Sequence, residues 1–223
     1  MQSDSEIHYK ELLSDESFRS KIRSELKQPA VVRLFNGEWG ELKVLEVIQD
    51  SNRHFEGKSI SEITHEAGEN PLDFLLNLSL QENLETTFLS VLLNSDEIAV
   101  TKLWAHPYST IALSDAGAHL SFLCDAGFGL HLLGHWVRDR EDLSLEQAVQ
   151  AVTSRPADIC RIADRGRIVA GQQADLMLFD PSTVGRGPRR RVTDLPGGNS
   201  RVDTPAVGLH GLWVNGTRVV DQN

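Results

Sequence analysis

Residues Thr110 to Phe122 read TIALSDAGAHLSF: an apolar run that ends on a carboxylate, then small residues, then a histidine. The run Thr110–Ser114 has the texture of a short buried strand, and Asp115 would be its last residue. Parallel α/β sheets and barrels bind their ligands at the carboxyl ends of strands, so a carboxylate there projects into the rim where chemistry is done. Ala116, Gly117 and Ala118 leave space beside it for a metal, a water or a substrate. An aspartate at such a point also caps the following turn through its own side chain, and spacing alone leaves both roles open. His119, four residues on, is read either as a hydrogen-bonded core histidine or as a metal ligand.

Outward from this segment the chain alternates helix and strand, the pattern of a parallel α/β sheet. Residues 1–28 are polar with helical spacing and are closed by Pro29. AVVRLF (30–35) reads as a strand, Asn36-Gly37 as a turn, and ELKVLEVIQD (41–50) as a second strand. Ser59 and Glu62 form a capping box for a helix with Ile60 and Ile63 on one side. Pro71 opens another, in which Leu72, Leu75, Leu76 and Leu80 turn inward. SDEIAVTKLW (95–104) is a third helix, with acidic residues where the dipole favours them. GFGLHLLGHWVRDR (127–140) is helical, and Ser144 with Gln147 caps the next helix, whose stripe is Leu145, Ala148, Val149 and Val152.

After Ile162 the texture changes. RGRIVAGQQADLMLFDP (165–181) reads as two short strands around Ala170-Gly171, ended by Asp180-Pro181. LHGLWVNGTRVVDQ (209–222) is a hairpin turning at Asn215-Gly216. A boundary near residue 165 therefore divides an α/β part, 1–165, from an all-β tail, 166–223.

The 223 residues are 40% hydrophobic and 24% charged, with a formal net charge of −10. That balance belongs to a globular chain and argues against a binder of nucleic-acid backbones, whose affinity comes from clustered Lys and Arg. The one basic run, RGPRRR (186–191), is expected to be a solvated loop. No apolar run approaches the ~20 residues of a membrane helix, and the acidic start is no secretory signal, so a cytoplasmic location is expected. Cys124 and Cys160 are too few for a disulfide framework and read as small buried thiols. His131 and His135 are four apart on one helix, but Leu-Leu-Gly stands between them, without the general-base Glu of HExxH. No serine nucleophile elbow, P-loop or GxGxxG is present. Trp39, Trp104, Trp136 and Trp213 are read as packing residues.

SDAGAH (114–119), LSLEQAVQAVTSRPADICRI (143–162), DRGRIVAGQQADLMLFDP (164–181), VTDLPGG (192–198) and LWVNGTRVV (212–220) together resemble the C-terminal part of the N-acyl-D-amino-acid deacylases, or D-aminoacylases, of the amidohydrolase superfamily. The resemblance runs from about residue 40 to the end. It implies the C-terminal portion of a (β/α)8 TIM barrel, 1–165, followed by β-sandwich strands, 166–223. It places Asp115 at the end of the last barrel strand, where the superfamily's aspartate takes a proton from metal-bound water and passes it to the leaving amine. The implied metal is zinc, with Asp115 and His119 as candidate ligands. The implied substrate is a small N-acyl amino acid or related amide, cleaved at a non-peptide C–N bond. Asp164-Arg165-Gly166 and Asn215-Gly216 are read as turns that place strands.

The chain departs from the family in carrying no His-x-His pair, the motif that opens the superfamily's metal site. Barrel strands without their neighbours expose sheet edges, so a complementary barrel half or a second copy is expected as a partner. Two other readings stay open: a catalytically inactive fragment or interaction module, and part of a hydantoinase- or dihydroorotase-type amidohydrolase.

Overall fold

The polar opening folds as two helices because Asp15 interrupts it. Its side chain accepts the Phe18 N–H at 2.7 Å, capping a new helix at the point where the first one ends. In the computed structural model, which describes residues 4–28, 35, 37–91, 94, 96–104, 106, 108–114, 116 and 125–221, these helices are α1 (Asp4–Ser14) and α2 (Glu16–Leu26). The chain divides into two compact units, Met1–Glu97 and Ile98–Asn223.

In the first unit the elements are β1 (Leu42–Glu46), a 3-10 turn (Asp50–Phe55), α3 (Ile60–Ala67), α4 (Pro71–Gln81) and β2 (Thr87–Ser90). The capping box before α3 forms as read: Ser59 Oγ accepts the Glu62 N–H, and Glu62 accepts the Ser59 N–H at 2.7 Å. Asn70 caps α4, with Pro71 at its first position. Ile60, Ile63, Phe74 and Leu78 pack with Val44 and Val47 of the β1 region into one core, and Leu72 and Leu76 with Leu13 into another. Arg19, buried between helices, donates through Nε to the Leu13 carbonyl at 2.7 Å, while Arg23 pairs with Asp73 at 2.8 Å. β1 and β2 pair antiparallel, Leu42 opposite Ser90 and Val44 opposite Phe88. β2 was not expected from the sequence. Of the expected 30–35 strand only Phe35 is described, and it is not in a strand.

α5 (Glu97–Trp104) belongs, from Ile98 on, to the second unit. α6 (Phe128–His131) runs on as a π-helical stretch, Leu132–Asp139, and α7 (Leu145–Val152) and α8 (Ser154–Ile159) follow. Leu132, Leu133, Trp136, Leu143 and Ala148 form the core with Val184. Trp104 and Trp136 meet edge to face at 6.0 Å and Arg140 lies over Trp136, so these tryptophans pack as read. The strands are β3 (Leu176–Phe179), β4 (Gly185–Arg186), β5 (Arg190–Leu195), β6 (Asn199–Asp203), β7 (Ala206–Val207), β8 (Leu209–Val214) and β9 (Thr217–Asp221). They form an antiparallel sheet β3–β8–β9 and two ribbons, β4–β7 and β5–β6. The β8–β9 hairpin turns at Asn215 (φ 51°) and Gly216 (φ 76°), the paired positive values a two-residue turn requires.

The architecture is thus mixed helix and strand, but it corrects the sequence reading in three places. Every strand pair among the described residues is antiparallel, and no closed barrel forms among them. Residues 110–114 are not in a strand: Leu113 sits at φ 79°, which breaks an extended run. Ile168 and Val169 form no strand either; Ile168 is 90% exposed, with no ladder neighbour to cover it.

Candidate functional site

Asp115 and His119, the two residues singled out by the sequence, lie outside the described residues, as does Cys124; Ser114, Ala116 and Asp125 onward are described. The Ser114 hydroxyl accepts the Ala116 N–H at 3.4 Å. The Ser114 carbonyl accepts the Asp125 N–H at 2.9 Å, so the chain that leaves at Ser114 comes back to the same place eleven residues later. The Asp125 carbonyl then accepts the Phe128 N–H at 2.9 Å and starts α6.

The Asp125 side chain meets two arginines from the basic run. Arg189 Nη2 donates to Oδ1 at 2.7 Å and Arg186 Nη1 to the same oxygen at 3.3 Å. Arg190 pairs with Asp203 and Arg191 donates to Ser200 Oγ. The run expected to be a solvated loop has Arg186 in β4 and Arg190 and Arg191 in β5, with residues 187–189 outside strands between them, and each of its arginines meets an acceptor. Sixty-one and sixty-four residues separate Arg186 and Arg189 from Asp125, so no local spacing could have announced the cluster.

His131 and His135 stack with ring centroids 4.8 Å apart and planes within 9°. Among the described residues no three or more His, Cys, Asp or Glu side chains gather where they could hold a metal. Cys160 is free and exposed, against the expectation of a buried thiol, because α8 ends just before it at the surface. Arg165 pairs with Asp175 and donates to Asn215 Oδ1 at 2.6 Å, while Asp175 accepts the Asn215 N–H at 2.8 Å. That N–H and the Arg165 guanidinium hold the Asp175 carboxyl below the usual aspartate range. Asn215-Gly216 joins β8 to β9, and Arg165 ties its own turn to that one and to Asp175, just before β3.

The sequence profile of the amidohydrolase family matches residues 52–220. The chain belongs to the amidohydrolase family. Within it, the chain resembles the D-aminoacylase-like deacylases, as its motifs indicated. It is 37% identical over 91 residues to the N-acyl-D-glutamate deacylase of Alcaligenes xylosoxydans xylosoxydans, which is 41% of this chain and 17% of that one. An uncharacterised protein of Mycobacterium tuberculosis is 30% identical over 185 residues, 79% of this chain and 29% of its own. A crystal structure of N-acyl-D-glutamate deacylase from Bordetella bronchiseptica, complexed with zinc and a phosphonate inhibitor, aligns with a TM-score of 0.47 and 23% identity over 83% of this chain and 35% of that one. The amidohydrolase chain spans less than a third of the length of these curated relatives. No described helix is long and apolar enough to cross a membrane.

Proposed function

We propose that this amidohydrolase chain provides the proton-transferring carboxylate, Asp115, for hydrolysis of the amide bond of an N-acyl-D-amino acid or a related small amide. The observation that carries the reading is the family match over 52–220, which includes Asp115 and the small residues after it. The named relatives, N-acyl-D-glutamate and N-acyl-D-aspartate deacylases, support the substrate class. In this reading residues 1–165 are the last part of a (β/α)8 barrel, residues 166–223 belong to a β-sandwich, and a complementary barrel half or a second copy completes the site in the cytoplasm.

Asp115 accepts a proton on a carboxylate oxygen from the water that attacks the carbonyl carbon. It then returns that proton to the leaving nitrogen as the C–N bond breaks, so one group serves as base and then acid. A divalent metal, zinc by resemblance, would polarise the carbonyl and acidify the water when bound. Asp115 and His119 offer the oxygen and imidazole donors zinc takes, but two donors are fewer than the three protein ligands of a catalytic zinc site, so further ligands come from the partner. Ala116, Gly117 and Ala118 leave the carboxylate accessible to substrate.

The test is a panel of N-acetyl-D- and N-acetyl-L-amino acids given to the chain together with its complementary barrel half and zinc, with release of free amine measured. Release from D-substrates above L-substrates is expected. Release from neither, with the partner half supplied, would overturn the reading. One sequence observation favours a second reading, a metal-free interaction module: the chain has no His-x-His pair.

A further inference from the structure

Asn215-Gly216 carries a chemistry of its own besides the turn it makes. Asparagine is thermolabile, and a glycine after it leaves the backbone nitrogen unshielded for attack on the side-chain amide. Here a Cβ on Gly216 would meet nothing nearer than the Ala174 Cβ at 3.9 Å, and both residues are exposed, so water and hydroxide reach them. The reaction forms a bond from Gly216 N to Asn215 Cγ and breaks the bond from Cγ to the side-chain nitrogen. Gly216 N gives up its proton, and the side-chain nitrogen leaves as ammonia. Water then opens the cyclic imide at either carbonyl, leaving aspartate or isoaspartate. The net change is water taken up and ammonia lost, with no oxidant or reductant.

The fold holds both reacting groups elsewhere. The Gly216 N–H donates to the Ala174 carbonyl at 2.9 Å, and Asn215 Oδ1 accepts Arg165 Nη2 at 2.6 Å. The Asn215 N–H goes to Asp175 Oδ1 at 2.8 Å, and Arg165 pairs with that same aspartate. The guanidinium polarises the Asn215 side-chain carbonyl and, taken alone, favours attack on it. Geometry outweighs that effect. Closing the ring needs rotation about the Asn215 Cα–C bond, which takes the Gly216 N–H off the Ala174 carbonyl and unmakes the two-residue turn. We propose that Asn215 is a deamidation site held closed by Arg165 and by the Gly216–Ala174 bond. It converts only when the turn lifts off Ala174 and Asp175, and the product then keeps that junction from closing again. A second carboxylate stands beside Asp175, where like charges repel, and the isoaspartate route adds an atom to the main chain of a tight turn.

The test ages the full chain in mildly alkaline buffer, with and without urea, and follows aspartate and isoaspartate at position 215 by peptide mass spectrometry. The wild-type chain is expected to convert about ten-fold or more slowly when folded than in urea, because ring closure waits on local opening of these bonds. Arg165 is 36% exposed, so its own share is modest: folded Arg165→Ala is expected to convert about three-fold faster than folded wild type. Its β5 and β6 amides, protected as in wild type, show that the tail is still folded. Arg165→Lys, which keeps the charge and a donor, is expected to fall between the two, and in urea all three convert at one rate. In the converted fraction, separated by anion exchange, the β8 and β9 amides are expected to exchange faster than in the unconverted chain. No conversion in urea would overturn the site. Equal wild-type rates folded and in urea would overturn its being held closed, a comparison that needs no variant. Wild-type speed in folded Arg165→Ala would overturn the role of Arg165, and unchanged exchange in the converted fraction would overturn the loosened junction.

Discussion

Glu82 shows how a single side chain can organise a turn. It is 2% exposed, just past the end of α4, and its carboxylate accepts the Gln49 N–H at 3.1 Å, the Ile48 N–H and the Asn52 side-chain amide. Those donors open the 3-10 turn at Asp50, so Glu82 caps that turn from another element. Burial alone would raise its pKa. The bonds from Asn52, Ile48 and Gln49 outweigh burial and hold it below the ordinary glutamate value of 4.5. With the folded pKa depressed, the stabilisation is complete above the unfolded value and is lost as pH falls through the folded one. Glu82→Gln is expected to destabilise the first unit by about 2–3 kcal/mol at pH 7, with the deficit shrinking below pH 4.5. Urea denaturation followed at the α3 and α4 amides at both pH values measures it. An equal deficit at both would contradict the assignment. Sequence reading passed over Glu82 because its donors lie thirty or more residues away, whereas Ser59 and Glu62 could be read because each is the other's partner within one turn.

At the scale of elements, the helices declared themselves and the strands did so only where a turn spoke for them. Pro71, the Ser144–Gln147 box and Asn215-Gly216 are each signals confined to a few residues, and each element forms. β2 has no such signal: its partner, β1, lies some forty residues back, with two helices between. The antiparallel pairing of the described strands was hidden for the same reason, since helix–strand alternation suggests a parallel sheet but does not fix direction. The seating of the α6–π helix on the Val184–Arg186 segment makes a contrast that can be tested. Gly134→Ala puts a methyl 2.7 Å from a backbone carbonyl and is expected to cost about 1–3 kcal/mol. Gly129→Ala, on the same helix with nothing within 4 Å, is expected to be neutral or to stabilise by about 0.5–1 kcal/mol. Thermal melts of the two variants compare them directly. Equal losses would mean the helix does not rest on that segment.

For the molecule as a whole, the sequence placed the chain in its family through motifs spread over its second half, while the architecture was only partly legible. Family membership is carried by short elements in fixed order, and order survives in a sequence. Contacts between residues far apart in the chain leave no such record. The ion pairs on Asp125 illustrate the difference: Arg186 and Arg189 of RGPRRR meet an acidic partner more than sixty residues earlier, which no local spacing records. The central claim is that Asp115 carries the proton in amide hydrolysis. The measurement that tests it most directly is the initial rate of amine release from N-acetyl-D-glutamate, with zinc and the partner half present, for the wild-type chain and for Asp115→Asn. Loss of a positioned acid–base group predicts a fall in kcat of about 10²-fold or more. Equal rates for the two chains would contradict the account.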